Sequence, residues 1–177
     1  MVLPIDSYRK HVEQLFDSGS PDLVMNGSAA HAQILIETLI TRAKEKIVFF
    51  CECLKEEIYD KEVIIQKLLE AGKRGVEVKI LAQKEPETNL LRKKVVEFFP
   101  SNSPFEFRTC LPDSVGRNAP MNFIVMDEKA FRFEQELDTH KAFASANNCE
   151  LAKQMLSRFD GFWRVAVPMA MPDPTAA

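Results

Sequence analysis

No apolar run in this 177-residue chain approaches the roughly 20 residues that a membrane helix requires, so no membrane span is expected. Nor is there an excess of positive charge. Lys and Arg number 23 against 26 Asp and Glu, for a net charge of −3. A global pull toward nucleic acid or anionic lipid is therefore missing, and nucleic acid is not expected as a partner. The N-terminal stretch Met1 to Phe16 is charged and lacks the apolar core of a signal peptide, which predicts a cytoplasmic location. The pattern reveals no internal repeat, and a single domain is expected. Cysteine is scarce and scattered, at Cys51, Cys53, Cys110 and Cys149. In one strand Cys51 and Cys53 would share a face with their Cα atoms about 6.6 Å apart, at the far end of disulfide reach, so a bridge between them is not expected. A Cys-x-Cys pair with dispersed His11, His31 and His140 is a poor match to zinc spacing. A reduced chain with no metal and no cofactor is expected.

What is present is an ordinary globular composition, 46% apolar and 28% charged, at a length that suits one domain with a sizeable core. Residues 7–16 read as a short amphipathic helix with Val12, Leu15 and Phe16 inward. Leu23 to Met25 reads as a short strand or an extended lead-in. Ser28 is placed as the N-cap of a second helix. Ala32, Leu35, Ile36, Leu39, Ile40 and Ala43 recur there at helical spacing. Ile34 falls on the opposite side, as an exposed residue or a second packing surface. His31 reads as a partly exposed surface histidine. Lys46 to Leu54 follows as a strand apolar enough for burial on both faces.

A third helix is predicted over 60–74, with Gly75 supplying a left-handed stop, and then a strand over 76–81. A fourth helix spans 88–99. Phe105 to Arg108 alternates like a strand with one solvated face. Leu111 to Ala119 reads as a mobile loop. Met121 to Met126 is another apolar strand, with a hairpin partner over 130–134. Asn147 and Glu150 match a capping box for the last helix. Leu151, Ala152, Met155, Leu156, Phe159, Phe162 and Trp163 form its inner stripe. The tail from 168 to 177 is expected to be disordered. Helices alternate with strands before a final run of strands, which predicts an α/β fold with a mixed β-sheet covered by helices on both faces.

Three stretches carry a family resemblance: Leu39 to Val48, Leu68 to Leu81, and Asn122 to Asp127 continuing through Asn148-x-Glu150 to Phe159 and Trp163. In order and spacing they resemble a single repeat of the phospholipase D-like superfamily, over residues 28–167. The resemblance implies that fold and, because single-repeat relatives pair two copies around the site, a homodimer. Active members carry H-x-K-x4-D followed by a small Gly-Ser pair. The histidine attacks phosphorus, the lysine neutralises charge in the transition state, and a second copy supplies the acid for the leaving group. The backbone passes close to the phosphate at the small pair.

Aligned on Asp127, the histidine position holds Pro120 and the lysine position Asn122. Glu134 and Gln135 replace the small pair. Proline offers no nucleophile, asparagine no charge, and a glutamate repels a phosphodiester at close range. The expectation is a degenerate member with no catalytic residues and no phosphodiesterase activity. Its former active site, lined by Asn122, Glu134 and Glu52, would bind a protein partner or a small polar ligand in bacterial sensing or defence. His140, in the polar stretch 135–141, is a further candidate. The rival readings are an enzyme with a rearranged site, using His140 or His31 with Glu134, and a nucleic-acid-binding module.

Overall fold

A computed structural model of the chain describes residues 3–54, 56–86, 90–136 and 141–173. Tyr8, Val12 and Phe16 share one helical face and form the buried side of α1 (Ile5–Ser18), which ends at Gly19 in the left-handed region with φ 62°. After β1 (Leu23–Asn26), Ser28 caps α2 (Ala29–Arg42) by accepting the His31 N–H at 3.2 Å. The predicted α2 stripe is buried, but so are Ile34 and His31. For His31 this corrects the expected partial exposure, and for Ile34 it selects the second packing surface over the exposed position. In the fold α2 packs against the sheet and against two other helices, so its outer side is covered too. The His31 ring stacks on Tyr8 at 3.9 Å, and its Nε2 lies 3.0 Å from the Leu3 carbonyl.

The remaining elements are β2 (Lys46–Cys51), the short α3 (Glu56–Tyr59), α4 (Glu62–Lys73), β3 (Glu77–Ala82), α5 (Leu90–Phe98), β4 (Phe105–Thr109), β5 (Asn122–Met126), β6 (Ala130–Glu136), β7 (Lys141–Ser145), α6 (Cys149–Val165) and β8 (Val167–Pro168). The helix predicted over 60–74 is thus preceded by a separate short turn of helix. Its stop is as predicted. Gly75 sits at φ 85°, its N–H donates to the Gly72 carbonyl, and the Val76 N–H donates to Ala71, a Schellman arrangement.

The eight strands form one sheet in the order β1-β7-β6-β5-β2-β3-β4-β8. β2, β3 and β4 run parallel, and every other pairing is antiparallel. Alternation along the strands divides the core in two. Ile47, Phe49, Ile124 and Met126 face α1, α2, α4 and α5; Val48, Phe50, Phe123 and Val125 face α6. This is an α/β fold with a mixed sheet flanked by helices.

Two strands escape the sequence pattern. β7 has small alanines at 142 and 144 as its inward residues, too weak an apolar signal to stand out from the polar run before it. It forms because β6 and β1 both offer ladder partners. β8 closes the other edge against β4. Of the tail 168–177 expected to be disordered, residues 168–173 are described and are anchored through Met169, which is buried and donates its N–H to the Phe107 carbonyl; residues 174–177 lie outside the described residues. Arg92 Nη1 donates to the Ala170 carbonyl at 2.7 Å. The N-terminal lead-in is equally part of the fold through α1 and β1. The loop over 111–119 contains a 3-10 turn (Val115–Asn118) pinned by Arg117 Nη1 donating to the Gln83 carbonyl. The cap of α6 is Asn148, whose Oδ1 accepts the Leu151 N–H, and not Asn147. Asn147 instead donates from Nδ2 to the Gly19 carbonyl.

Candidate functional site

The carboxyl ends of β2 and β3 and the start of β5 come together at one end of the sheet, where the ladder stops and backbone groups need other partners. Asn122 opens β5 there. Its Oδ1 accepts the Glu52 N–H at 2.7 Å, and its Nδ2 donates to Glu134 Oε2 at 3.2 Å. Glu134 stands opposite Asn122 in the β5–β6 register. The same Oε2 accepts from Arg132 Nη1 at 3.3 Å. Arg132 and Glu134 are 4% and 5% exposed, so this is a buried ion pair with no net charge.

The enclosed space, also bounded by Cys51, Cys53 and Tyr59, is about 20 Å³. That is room for about one water molecule. Burial pushes the Tyr59 phenol well above its ordinary range. The Cys51 and Glu134 charges push the same way, and Arg132 opposes them. Burial likewise raises the Cys51 thiol.

Pro120 is exposed at the rim. The carbonyls on either side of it, Ala119 and Met121, accept from the buried Gln83 Nε2 at 2.8 and 3.1 Å. The Glu52 carboxylate turns outward to Lys84, with Oε1 2.7 Å from Nζ. The structure therefore brings Asn122 and Glu134 together, with Glu52 contributing its backbone N–H. His140 lies outside the described residues. His31 is held in the α1–α2 contact. Asp127 belongs to the opposite end of the sheet, where its carboxylate accepts the N–H groups of Lys44, Glu45 and Lys46, each at 3.0 Å.

The sequence reading missed Arg132, Gln83 and Arg117. A signal for Arg132 exists. In Phe131-Arg132-Phe133-Glu134 the two charges share one face of a strand, and once that strand is covered on both faces they must meet as a pair. Gln83 and Arg117 act through backbone carbonyls that no pattern announces.

Among the described residues, no group of three or more His, Cys, Asp or Glu is placed to hold a metal ion. Among them, too, no helix is long and apolar enough to cross a membrane.

The fold is that of several solved structures. A phospholipase D family member, Nuc from Salmonella typhimurium, superposes with a TM-score of 0.63 at 19% identity, covering 85% of this chain and 99% of that one. Phosphatidylserine synthase from Haemophilus influenzae gives 0.64 at 13%, covering 94% of this chain but 45% of the synthase, so the chain spans less than half of that protein. TrmBL2, an archaeal chromatin protein described with a novel mode of DNA binding, gives 0.62 at 14%, covering 93% of this chain and 64% of TrmBL2. This last likeness corrects the expectation that nucleic acid is not a partner. A DNA-binding protein is built on the same scaffold, and a net charge of −3 is no ground for exclusion. No curated protein matches the sequence. Residues 28–171 match one family model, and the chain belongs to the family described as Domain of unknown function (DUF7931).

Proposed function

We propose that this chain is a non-catalytic member of the phospholipase D-like fold that works by binding. The observation that carries the reading is the state of Asn122. At the position where active members need a cation, both ends of a neutral amide are spent on the Glu52 backbone and on Glu134. Three further features support it. Pro120, at the nucleophile position, has no group that can attack phosphorus. The Arg132–Glu134 pair cancels its own charge and leaves no field to hold a diester. Space of about 20 Å³ admits no substrate phosphate beside it. A protein partner seated on the rim formed by Glu52, Lys84 and Pro120 fits this geometry better than a ligand taken between Asn122 and Glu134. Regulation or sensing is the role that such a scaffold would serve.

The test is a phosphodiesterase assay on a chromogenic model diester and on single-stranded DNA. The expected outcome is no turnover above buffer, for the natural chain and for Glu134→Gln alike. Turnover that His140→Ala abolishes would sink the reading and favour a rearranged active site.

A further inference from the structure

At the end of the sheet opposite Asn122, some 13 Å away along β5 by strand rise, lies a larger concavity of about 510 Å³. It has the size of a small-molecule site. Four cationic residues line it, Arg42, Lys44, Arg74 and Lys129, and no carboxylate does. In a chain of net charge −3 this is a local excess that composition hides.

Two of the four have structural work. Arg42 Nη2 pairs with Asp17 at 2.6 Å. Arg74 Nη2 donates to the carbonyls of Ile40, Thr41 and Ala43, where α2 ends and its dipole is negative. Lys44 and Lys129 have no such occupation. Among the described residues neither ammonium has a carboxylate within ion-pair distance. The adjacent acids Glu45 and Glu128 do not line the recess, and Asp127 spends both oxygens on backbone N–H groups. The floor is apolar, formed by Phe16, Met126 and Ala146.

Cations gathered in a concavity raise the local potential for an anion. An apolar floor adds affinity for an attached hydrocarbon or ring. We infer that this pocket binds a small phosphate-bearing ligand with an apolar body, the phosphate held by Lys44 and Lys129. A nucleic-acid backbone is the poorer fit. It calls for an extended basic stripe, and this site is a single recess with two uncommitted cations. The inference does not depend on the reading of the Asn122 end.

The test is calorimetric titration of the full chain with inorganic phosphate, phenyl phosphate and a single-stranded DNA oligonucleotide. The proteins are the natural chain, the double variant Lys44→Ala/Lys129→Ala and, as a control on the exposed face of α5, Lys94→Ala. Phenyl phosphate should bind saturably and more tightly than inorganic phosphate. The double variant should weaken it about tenfold, in line with two partly exposed charge contacts, while Lys94→Ala leaves it unchanged. Circular dichroism checks that the variants fold. Absence of saturable binding at millimolar phenyl phosphate overturns the proposal, as does an affinity indifferent to the double variant. Binding of the oligonucleotide alone, lost in the double variant, also overturns it and would reassign the surface to nucleic acid.

Discussion

Asp127 shows how one residue type serves different ends on one scaffold. It sits in the turn between β5 and β6, with φ 48° and its neighbour Glu128 at φ 55°, the paired left-handed geometry that hairpins favour. Its carboxylate ties that turn to the entry of β2 through three backbone N–H groups. Hydrogen bonds to a charged acceptor are worth more than neutral ones. Replacing Asp127 with Ala should therefore destabilise the fold by about 2 kcal/mol, allowing for water at this half-exposed site. Urea denaturation followed through the single tryptophan, Trp163, reads the loss. The sequence placed Asp127 at a turn without difficulty, because turn chemistry is local. It could not place the three donors more than eighty residues away in the chain.

At the scale of the element, the helices were more legible than the strands. Periodicity over a dozen residues located α2, α4 and α6, since each presents a stripe to the sheet. Short strands carry less information, and β7, with alanines inward, carried almost none. Caps were legible to within one residue. Ser28 was placed correctly, whereas the capping box at Asn147 and Glu150 proved to be a cap at Asn148. The two candidates differ measurably. Asn148→Ala removes the acceptor for the Leu151 N–H and should cost about 1 kcal/mol. Asn147→Ala removes an exposed hydrogen bond to the Gly19 carbonyl and a weak one from the Cys149 thiol and should cost less than half as much. Equal losses in thermal or urea unfolding would return the cap to Asn147.

Across the whole molecule, the eight-stranded sheet separates two ends with opposite chemistry. One carries Asn122 and a self-neutralised ion pair, the other a recess of cations. The sheet also seals two thiols. Burial raises Cys51 and Cys110, with a Ser114 hydrogen bond and Arg117 opposing this at Cys110. Because the thiolate is the reactive form, a raised thiol stays protonated at a pH where an ordinary one is partly ionised. At about pH 8.5, near the ordinary cysteine value, a thiol-reactive dye should label exposed Cys149 first and the half-buried Cys53 more slowly. Cys51 and Cys110 should label only on the timescale of unfolding. Rapid labelling of all four would mean that the sheet ends open far more readily than their packing allows.

What the amino-acid sequence determined alone was the class of fold and the order of its main elements, because these depend on short-range pattern and on the identity of single residues. Tertiary structure decided the rest. It put Arg132 against Glu134, spent Asn122 on the Glu52 backbone and drew Lys44 and Lys129 into one recess. The last two join groups far apart in the chain, which only strand register and helix packing could bring together; Arg132 and Glu134 are neighbours on one strand face, and it is burial by the surrounding fold that makes them a pair.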